Sequence, residues 1–409
     1  MVEIMSPAGN FETLAAAIQA GAGSVYFGLG NLNMRAKSAV NFQISDLDKI
    51  VSICNQSNVK TYLALNTIMY DGDLQEMRQM IDLAAQKKVS AIIASDAAVL
   101  EYALKQGVEI HASTQLNISN IEAVKFYSRF CDVMVLAREL NLEQVKNIHR
   151  QIVEQDIRGP KGELVKIEMF IHGALCMAVS GKCYLSLHEA NRGANRGACI
   201  QICRRGYSVI DNETGAELNI ENQYIMSPKD LCTVGFIDKL VDAGVEVMKI
   251  EGRARPPEYV KTVTQVYHEA VKAVENKSYS AENIAVWKDR LRTVFNRDFW
   301  NGYYLGQRLG EWNNSYGSRA KYHKEFVGSI NNFFPKLSVA EVYVNSGRLV
   351  KGDKIYIIGP TTGCIETQVT EIRIDDKQSQ CAVKGQVVSI PVPEKVRRSD
   401  KIYVLVENK

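Results

Sequence analysis

A chain of 409 residues, 46% hydrophobic and 23% charged, has room for one large domain and a smaller one, each with a core. A net charge of +3 is too small to mark a nucleic-acid binder by itself, although clustered Lys and Arg can still build a basic face. The opening MVEIMSPAGNFE lacks the basic and apolar runs of a signal peptide. No apolar run approaches the roughly 18 residues of a membrane span, so a cytoplasmic location is expected.

From residue 3 to residue 275, short apolar runs of strand character alternate with stretches of helical periodicity. The runs cover 3–8, 24–29, 60–66, 91–95, 109–113, 133–137, 167–173 and 246–252. Amphipathic stretches such as NFETLAAAIQAGA and DGDLQEMRQMIDLAAQKK follow most of them. Eight runs apolar enough for burial on both faces predict parallel βα units of an α/β protein, and eight such units close a (β/α)8, TIM-like barrel. A doubly wound open sheet is the alternative, but no Gly-rich dinucleotide loop follows the first run to favour it.

The seventh run is followed by an insertion, 174–232, that no other unit has. It holds a cysteine-dense loop and then YSVIDNETGAELNIENQYIM (207–226), two alternating runs about an Asn-Glu-Thr-Gly turn that read as a β-hairpin. SPKDLCTVGFIDKLVDAG then resumes a helix. Loops after barrel strands emerge at the C-terminal face, so Cys176, Cys183, Cys199, Cys203 and Cys232 should gather at the mouth. The expected organisation is a barrel over 1–276, a helical and then irregular connector packing on it over 277–324, and a small all-β barrel over 325–409.

Nine cysteines is an odd count, and a reducing compartment argues against a disulfide framework. Cys54, Cys131, Cys364 and Cys381 lie among apolar or β-rich stretches and read as small buried hydrophobes. The others have three readings. Zinc prefers C-x2-4-C pairs, and only Cys199-x3-Cys203 is so spaced. Independent buried thiols would need apolar surroundings, whereas these sit amid Gly, Asn and Arg. An iron–sulfur cluster asks for three or four thiolates on flexible backbone able to offer N–H groups.

Polar residues fall at or just past the strand ends: Ser6, Asn66, Ser95, Ser113, Thr114, Gln115, Asn117, Arg138, His172, Glu251 and Arg253. Singly, each reads as a cap or a structural hydrogen-bonding group. Together they ring a pocket for a small anion, with Arg138 and Arg253 as charge partners. His172 is either a general acid–base or a structural histidine. Arg192, Arg196, Arg204 and Arg205 are interleaved with the cysteines and read either as a solvated loop or as phosphate contacts for RNA.

The stretch EMFIHGALCMAVSGKCYLS, Glu168 to Ser186, matches every specified position of the signature E-x-F-x2-G-[SA]-aliphatic-C-x4-G-x-C-x-aliphatic-S. With SPAGNFETLAAAIQAGAGSVYFG, HASTQLNISN, NRGACIQICR, SPKDLC, KIEGR and FNRDFWNGYY, the chain resembles the U32 peptidase family over its whole length. That name implies a collagenase-like protease, yet no GxSxG elbow, HExxH or visible Cys–His pairing is present. Other branches of the family imply an oxygen-independent hydroxylase with a [4Fe–4S] cluster, acting on ubiquinone precursors, a ribosomal RNA cytidine or the wobble uridine of tRNA. A barrel followed by one translation-factor-like β-module is similar to the tRNA branch, which forms 5-hydroxyuridine with prephenate as co-substrate. The resemblance places cluster ligands on Cys176, Cys183, Cys199 and Cys232, with Cys203 as the alternative fourth. It implies a tRNA anticodon stem-loop as partner and prephenate as co-substrate; by their strand-end positions, Arg138, Arg253, Asn117 and Ser113 are the expected prephenate-binding residues and His172, Glu251 and Gln115 the catalytic candidates. A U32 peptidase, or a hydroxylase of ribosomal RNA, is the alternative.

Overall fold

The computed structural model describes residues 2–37, 41–215, 217–218 and 224–408. The first seven strands are β1 (Glu3–Pro7), β2 (Ser24–Phe27), β3 (Lys60–Leu65), β4 (Ala91–Ala94), β5 (Ile110–Ala112), β6 (Val133–Val135) and β7 (Lys166–Gly173). Helices α1 (Phe11–Gln19), α2 (Leu47–Gln56), α3 (Leu74–Gln86), α4 (Ala97–Lys105), α5 (Ile121–Tyr127) and α6 (Leu142–Glu154) alternate with them. An eighth barrel strand, Val245–Ile250, pairs in parallel with both β1 and β7 and closes the ring. All eight expected runs are barrel strands.

The local chemistry explains the alternation. Asn10 and Asn141 cap α1 and α6 with reciprocal side-chain bonds to the third helical residue, and Asp96 caps α4. The strands are buried on both faces. Inward residues such as Met5, Tyr26, Tyr62, Ile93 and Val247 fill the barrel, while outward ones join the larger core beneath the helices.

The insertion carries α7 (Leu185–Ala190) and a short antiparallel pair in which Val209 faces Leu218 and Ile210 faces Glu217. The rest of the expected hairpin, 216 and 219–223, lies outside the described residues. A short strand, Asp230–Cys232, then pairs antiparallel with the end of β7. α8 (Ile237–Asp242) follows, and α9 (Pro257–Glu275) starts after the eighth barrel strand with proline in its first turn. In the connector, α10 (Ala281–Leu291) packs on α9 through Trp287, whose Nε1 donates to Glu269 at 3.0 Å. Phe299–Trp300 then adds a further strand beside Asp230–Cys232.

From Tyr322 the chain is antiparallel β-structure, an eight-stranded sheet and a two-stranded ribbon around a separate core of Val, Ile and Leu. It docks on the outside of α1 and α9. Gln19 Nε2 donates to Thr362 O (2.6 Å) and Lys261 Nζ to Cys364 O (2.6 Å), and Lys324 pairs with Glu258 (2.8 Å). No helix among the described residues is long and apolar enough to cross a membrane.

Candidate active site

After β7 the insertion folds back over the C-terminal mouth of the barrel, and two of its arginines fasten it. Arg204 donates to Leu175 O (2.5 Å), Ser227 Oγ (3.0 Å) and Pro228 O (2.6 Å). Arg196 pairs with Asp73 (2.6 Å), donates to Ile68 O and lies over the Tyr70 ring. Gly197 adopts φ +70° where the loop meets the β2 loop, and a side chain there would strike Asn33 O. Arg204 and Arg196 are therefore committed to holding the loop. Arg205 is half-exposed and paired with Glu189 (2.6 Å), and Arg192 is exposed.

Beneath the loop lies a cavity of about 210 Å³ whose wall includes Cys176, Cys183, Cys199 and Cys203. Cys232 is not part of it. Its strand pairs with β7 so that Cys232 faces His172, and its sulfur accepts a bond from Tyr267 of α9 (3.7 Å), on the helix side of the barrel. Cys203, the alternative fourth thiol, is the one that shares the cavity wall with the other three. Cys199 Sγ accepts the Gln201 N–H (3.4 Å) and lies 3.8 Å from Ser186 Oγ. The Cys203 thiol is raised first by burial, opposed by Arg204, and raised further by Cys176, Cys199 and Cys183, so the four sulfurs lie within electrostatic reach of one another. Among the described residues, no three His, Cys, Asp or Glu side chains converge on a point fit for a single ion. Cys54, Cys131 and Cys364 are core thiols, raised by burial, whereas Cys381 keeps partial exposure.

The cavity floor is cationic. Arg35 and Glu251 form an ion pair at 2.6 Å. Burial alone would raise the Glu251 carboxyl, but Arg35 and then Arg255 hold it down to about 2, so it stays ionised rather than serving as an acid. Arg138 lies over Phe170 (3.7 Å to the ring centre) and donates through Nη1 to Ala174 O (3.2 Å). Its Nε, and Nη1 of Arg253, are buried without hydrogen-bond partners. Arg253 stands against Gly28, where any side chain would overlap its guanidinium. Ser113, Gln115 and Asn66 form one polar cluster on the cavity wall: Ser113 Oγ bonds Gln115 Oε1, and Asn66 Nδ2 donates to Ser113 (3.3 Å) and Gln115 (3.4 Å). Thr114 lines the cavity as well.

Several expected residues lie elsewhere. Asn117 closes a turn in the left-handed region at φ +58° and does not line the cavity. Ser6 bonds Thr264 on the helix side, and Ser95 donates to Asn66 O as a support. His172 is the larger correction. Lys249 pairs with Phe170 and Ile250 with His172, so a β-bulge at Ile171 reverses the alternation. His172 therefore turns outward among Tyr259, Tyr267 and Phe299, with Nδ1 3.2 Å from Tyr267 Oη. It is a structural histidine.

Burial, with Arg255 adding its positive field, pushes His172 down to about 3 from an unfolded value of 6.5. The unfolded chain takes up a proton that the folded one refuses, so stability falls as pH drops from 6.5 toward 3, by up to about 1.4 kcal/mol per pH unit. His172→Gln is expected to remove that contribution. Urea unfolding of both proteins at a few pH values below neutrality checks it, and parallel pH dependences would contradict the buried, neutral imidazole.

Sequence reasoning passed over a charged layer inside the barrel. Glu168, fully buried, accepts from Lys249 Nζ (2.7 Å) and bonds His111 Nδ1 (2.7 Å). Lys249 also borders the cavity. Arg35 was missed too, because its loop follows no strand pattern. The signal for the layer was present: an acid inside IEMFIHG and a lysine inside EVMKIEG, each where an apolar strand should point inward.

Fold and site together define a (β/α)8 barrel with a thiol-lined, arginine-floored cavity at its mouth and an all-β tail. The chain belongs to peptidase family U32, whose model matches residues 9–314. It is 61% identical over 401 residues to a Porphyromonas gingivalis protein named collagenase, spanning 98% of this chain and 97% of that one. It is 29% identical to the Bacillus subtilis tRNA hydroxylation protein P1, over 97% of this chain and 93% of that one. Against the Escherichia coli 23S rRNA 5-hydroxycytidine C2501 synthase it is 36% identical, over 67% of this chain and 40% of that longer protein.

Proposed function

We propose that the chain is an RNA-modifying hydroxylase that forms 5-hydroxyuridine at the wobble position of tRNA. In this reading Cys176, Cys183, Cys199 and Cys203 hold a [4Fe–4S] cluster and prephenate is the co-substrate. The observation that carries the reading is the joint lining of one cavity by four thiols and by two arginines, each with a buried, unpartnered N–H group. The donor set suits a cluster. Tetrahedral zinc would draw four sulfurs to within about 3.8 Å of each other, and among the described residues no three side chains converge as a single ion requires. A cluster is a wider body, and the Gln201 N–H aimed at Cys199 is the kind of bond that tunes one. When bound, it would supply one-electron chemistry beside the substrate.

The chain's own residues do the binding. Arg138 and Arg253 offer charge-assisted hydrogen bonds to a dicarboxylate such as prephenate. The Arg35–Glu251 pair fixes the neighbouring wall, and Ser113, Gln115 and Asn66 provide neutral groups to orient a base edge. The insertion folds over the site. A wobble base is already unpaired, so presenting it to a covered site costs little stacking energy. The RNA hydroxylation named for two relatives supports this choice of chemistry. The tRNA-type relative matches over nearly its whole length, whereas the ribosomal RNA enzyme is matched over less than half, which favours tRNA.

The collagenase name of a 61% identical relative keeps a peptidase as the second reading. A thiol protease needs an imidazole within hydrogen-bond reach of its cysteine. Among the described residues no histidine lines the cavity, and His172 faces away from it. The nucleoside content of tRNA from a strain lacking this gene decides between the readings.

A further inference from the structure

The thiol cavity opens into two grooves of different charge. The first, about 980 Å³, shares Cys183, Asn66 and Gln115 with the cavity and mixes Lys37, Lys182, Arg192 and Arg196 with Asp73 and Glu76, Lys37 bordering both grooves. The second, about 590 Å³, shares Cys199, Gln201, Arg204 and Arg255 with the cavity. Its charged lining is Lys37, Arg204, Arg205, Arg255 and Arg297, with no acidic side chain among the described residues.

We infer that this second groove is the path by which a single-stranded RNA segment reaches the thiol cavity. The inference rests on the proposed RNA substrate and adds where the strand lies. The lining carries five cations, and the fold neutralises only some of them. Arg205 is paired with Glu189 and Arg297 approaches Asp230 at 3.5 Å. Arg204 is spent on the loop carbonyls, which leaves Lys37 and Arg255 with no carboxylate partner among the described residues; Arg255 lies over Phe295, 3.6 Å from its ring centre. Such a surface matches a run of phosphodiesters, whereas the first groove sets two carboxylates, Asp73 and Glu76, against a polyanion. Tyr316 borders the second groove and is 76% exposed, an aromatic face set where an unstacked base would lie. The exposed Glu189 carboxylate exchanges readily for a phosphate, because surface ion pairs are weak.

The test is fluorescence anisotropy of a labelled tRNA anticodon stem-loop, titrated with the full-length protein across a salt series. Arg205→Gln should reduce the slope of log affinity against log salt by about 0.7, and Arg205→Gln with Arg255→Gln by about 1.4. Tyr316→Ala should weaken binding about tenfold with the slope unchanged. Lys182→Gln with Arg192→Gln, in the other groove, should leave the slope as in the wild type. An unchanged slope in both Arg205 variants, the loss falling on the Lys182 and Arg192 variant instead, or no binding by the wild type overturns the assignment. Arg205 is exposed, so its single variant keeps the result readable if the double variant folds poorly. Because binding is read without turnover, RNA bound in this groove with no hydroxylation would sink only the hydroxylase reading. Hydroxylation with unaltered slopes would sink only the groove.

Discussion

Cys203→Ala is expected to abolish iron binding after anaerobic reconstitution, while Cys232→Ala leaves it at the wild-type level. Cys203 shares the cavity wall with Cys176, Cys183 and Cys199 and feels their charge. Cys232 is fixed on the far side of β7 by strand pairing and by Tyr267. Reaching the cavity would require breaking the pairs of Leu231 with Gly173 and Cys232 with His172. Four thiolates within electrostatic reach repel one another, so a cationic iron core is what makes their joint ionisation favourable. Cys176→Ala, Cys183→Ala and Cys199→Ala should match Cys203→Ala. Iron and acid-labile sulfide per chain, with the visible spectrum, provide the readout. Loss of iron in Cys232→Ala with retention in Cys203→Ala would reverse the ligand assignment.

The second large effect concerns the barrel interior. Glu168→Gln removes the carboxylate shared by Lys249 and His111 and leaves a buried ammonium without a counter-charge. Breaking a buried pair in this way costs about 3–5 kcal/mol, most of it the desolvation of the partner left behind. Glu168→Leu with Lys249→Met, which removes both charges, should be less destabilised than Glu168→Gln alone, because a buried pair contributes little net stability over an apolar replacement. Equilibrium urea unfolding of the three proteins measures this. A Glu168→Gln protein within about 1 kcal/mol of wild type would show that the layer is hydrated rather than dry.

The barrel was legible because buried parallel strands are written as apolar runs, and each of the eight runs became a strand. The position of the cysteine loop followed from topology, since chain leaving β7 must emerge at the C-terminal face. Which thiols meet there was not legible. That depends on an antiparallel pairing between Asp230–Cys232 and β7, made across the whole insertion, and no periodicity in KDLC announces it. The choice between the two readings of His172 was hidden for a similar reason: strict alternation with Glu168 and Phe170 would aim it inward, and one bulged residue turns it out. Arg138, Arg253, Ser113 and Gln115 do line the cavity, as their positions past strand ends predicted. Arg196 and Arg204 read as phosphate contacts because their partners, Asp73 and the carbonyls of Leu175 and Pro228, are distant in sequence.

The central claim is that this cavity hydroxylates tRNA. Nucleoside mass spectrometry of bulk tRNA from a deletion strain, complemented with wild-type protein or with Cys203→Ala, tests it most directly. 5-Hydroxyuridine and its derivatives should fall in the deletion, return with the wild type and stay low with Cys203→Ala. Undiminished 5-hydroxyuridine derivatives in a deletion strain that carries no second enzyme for them, or full restoration by Cys203→Ala, would contradict it.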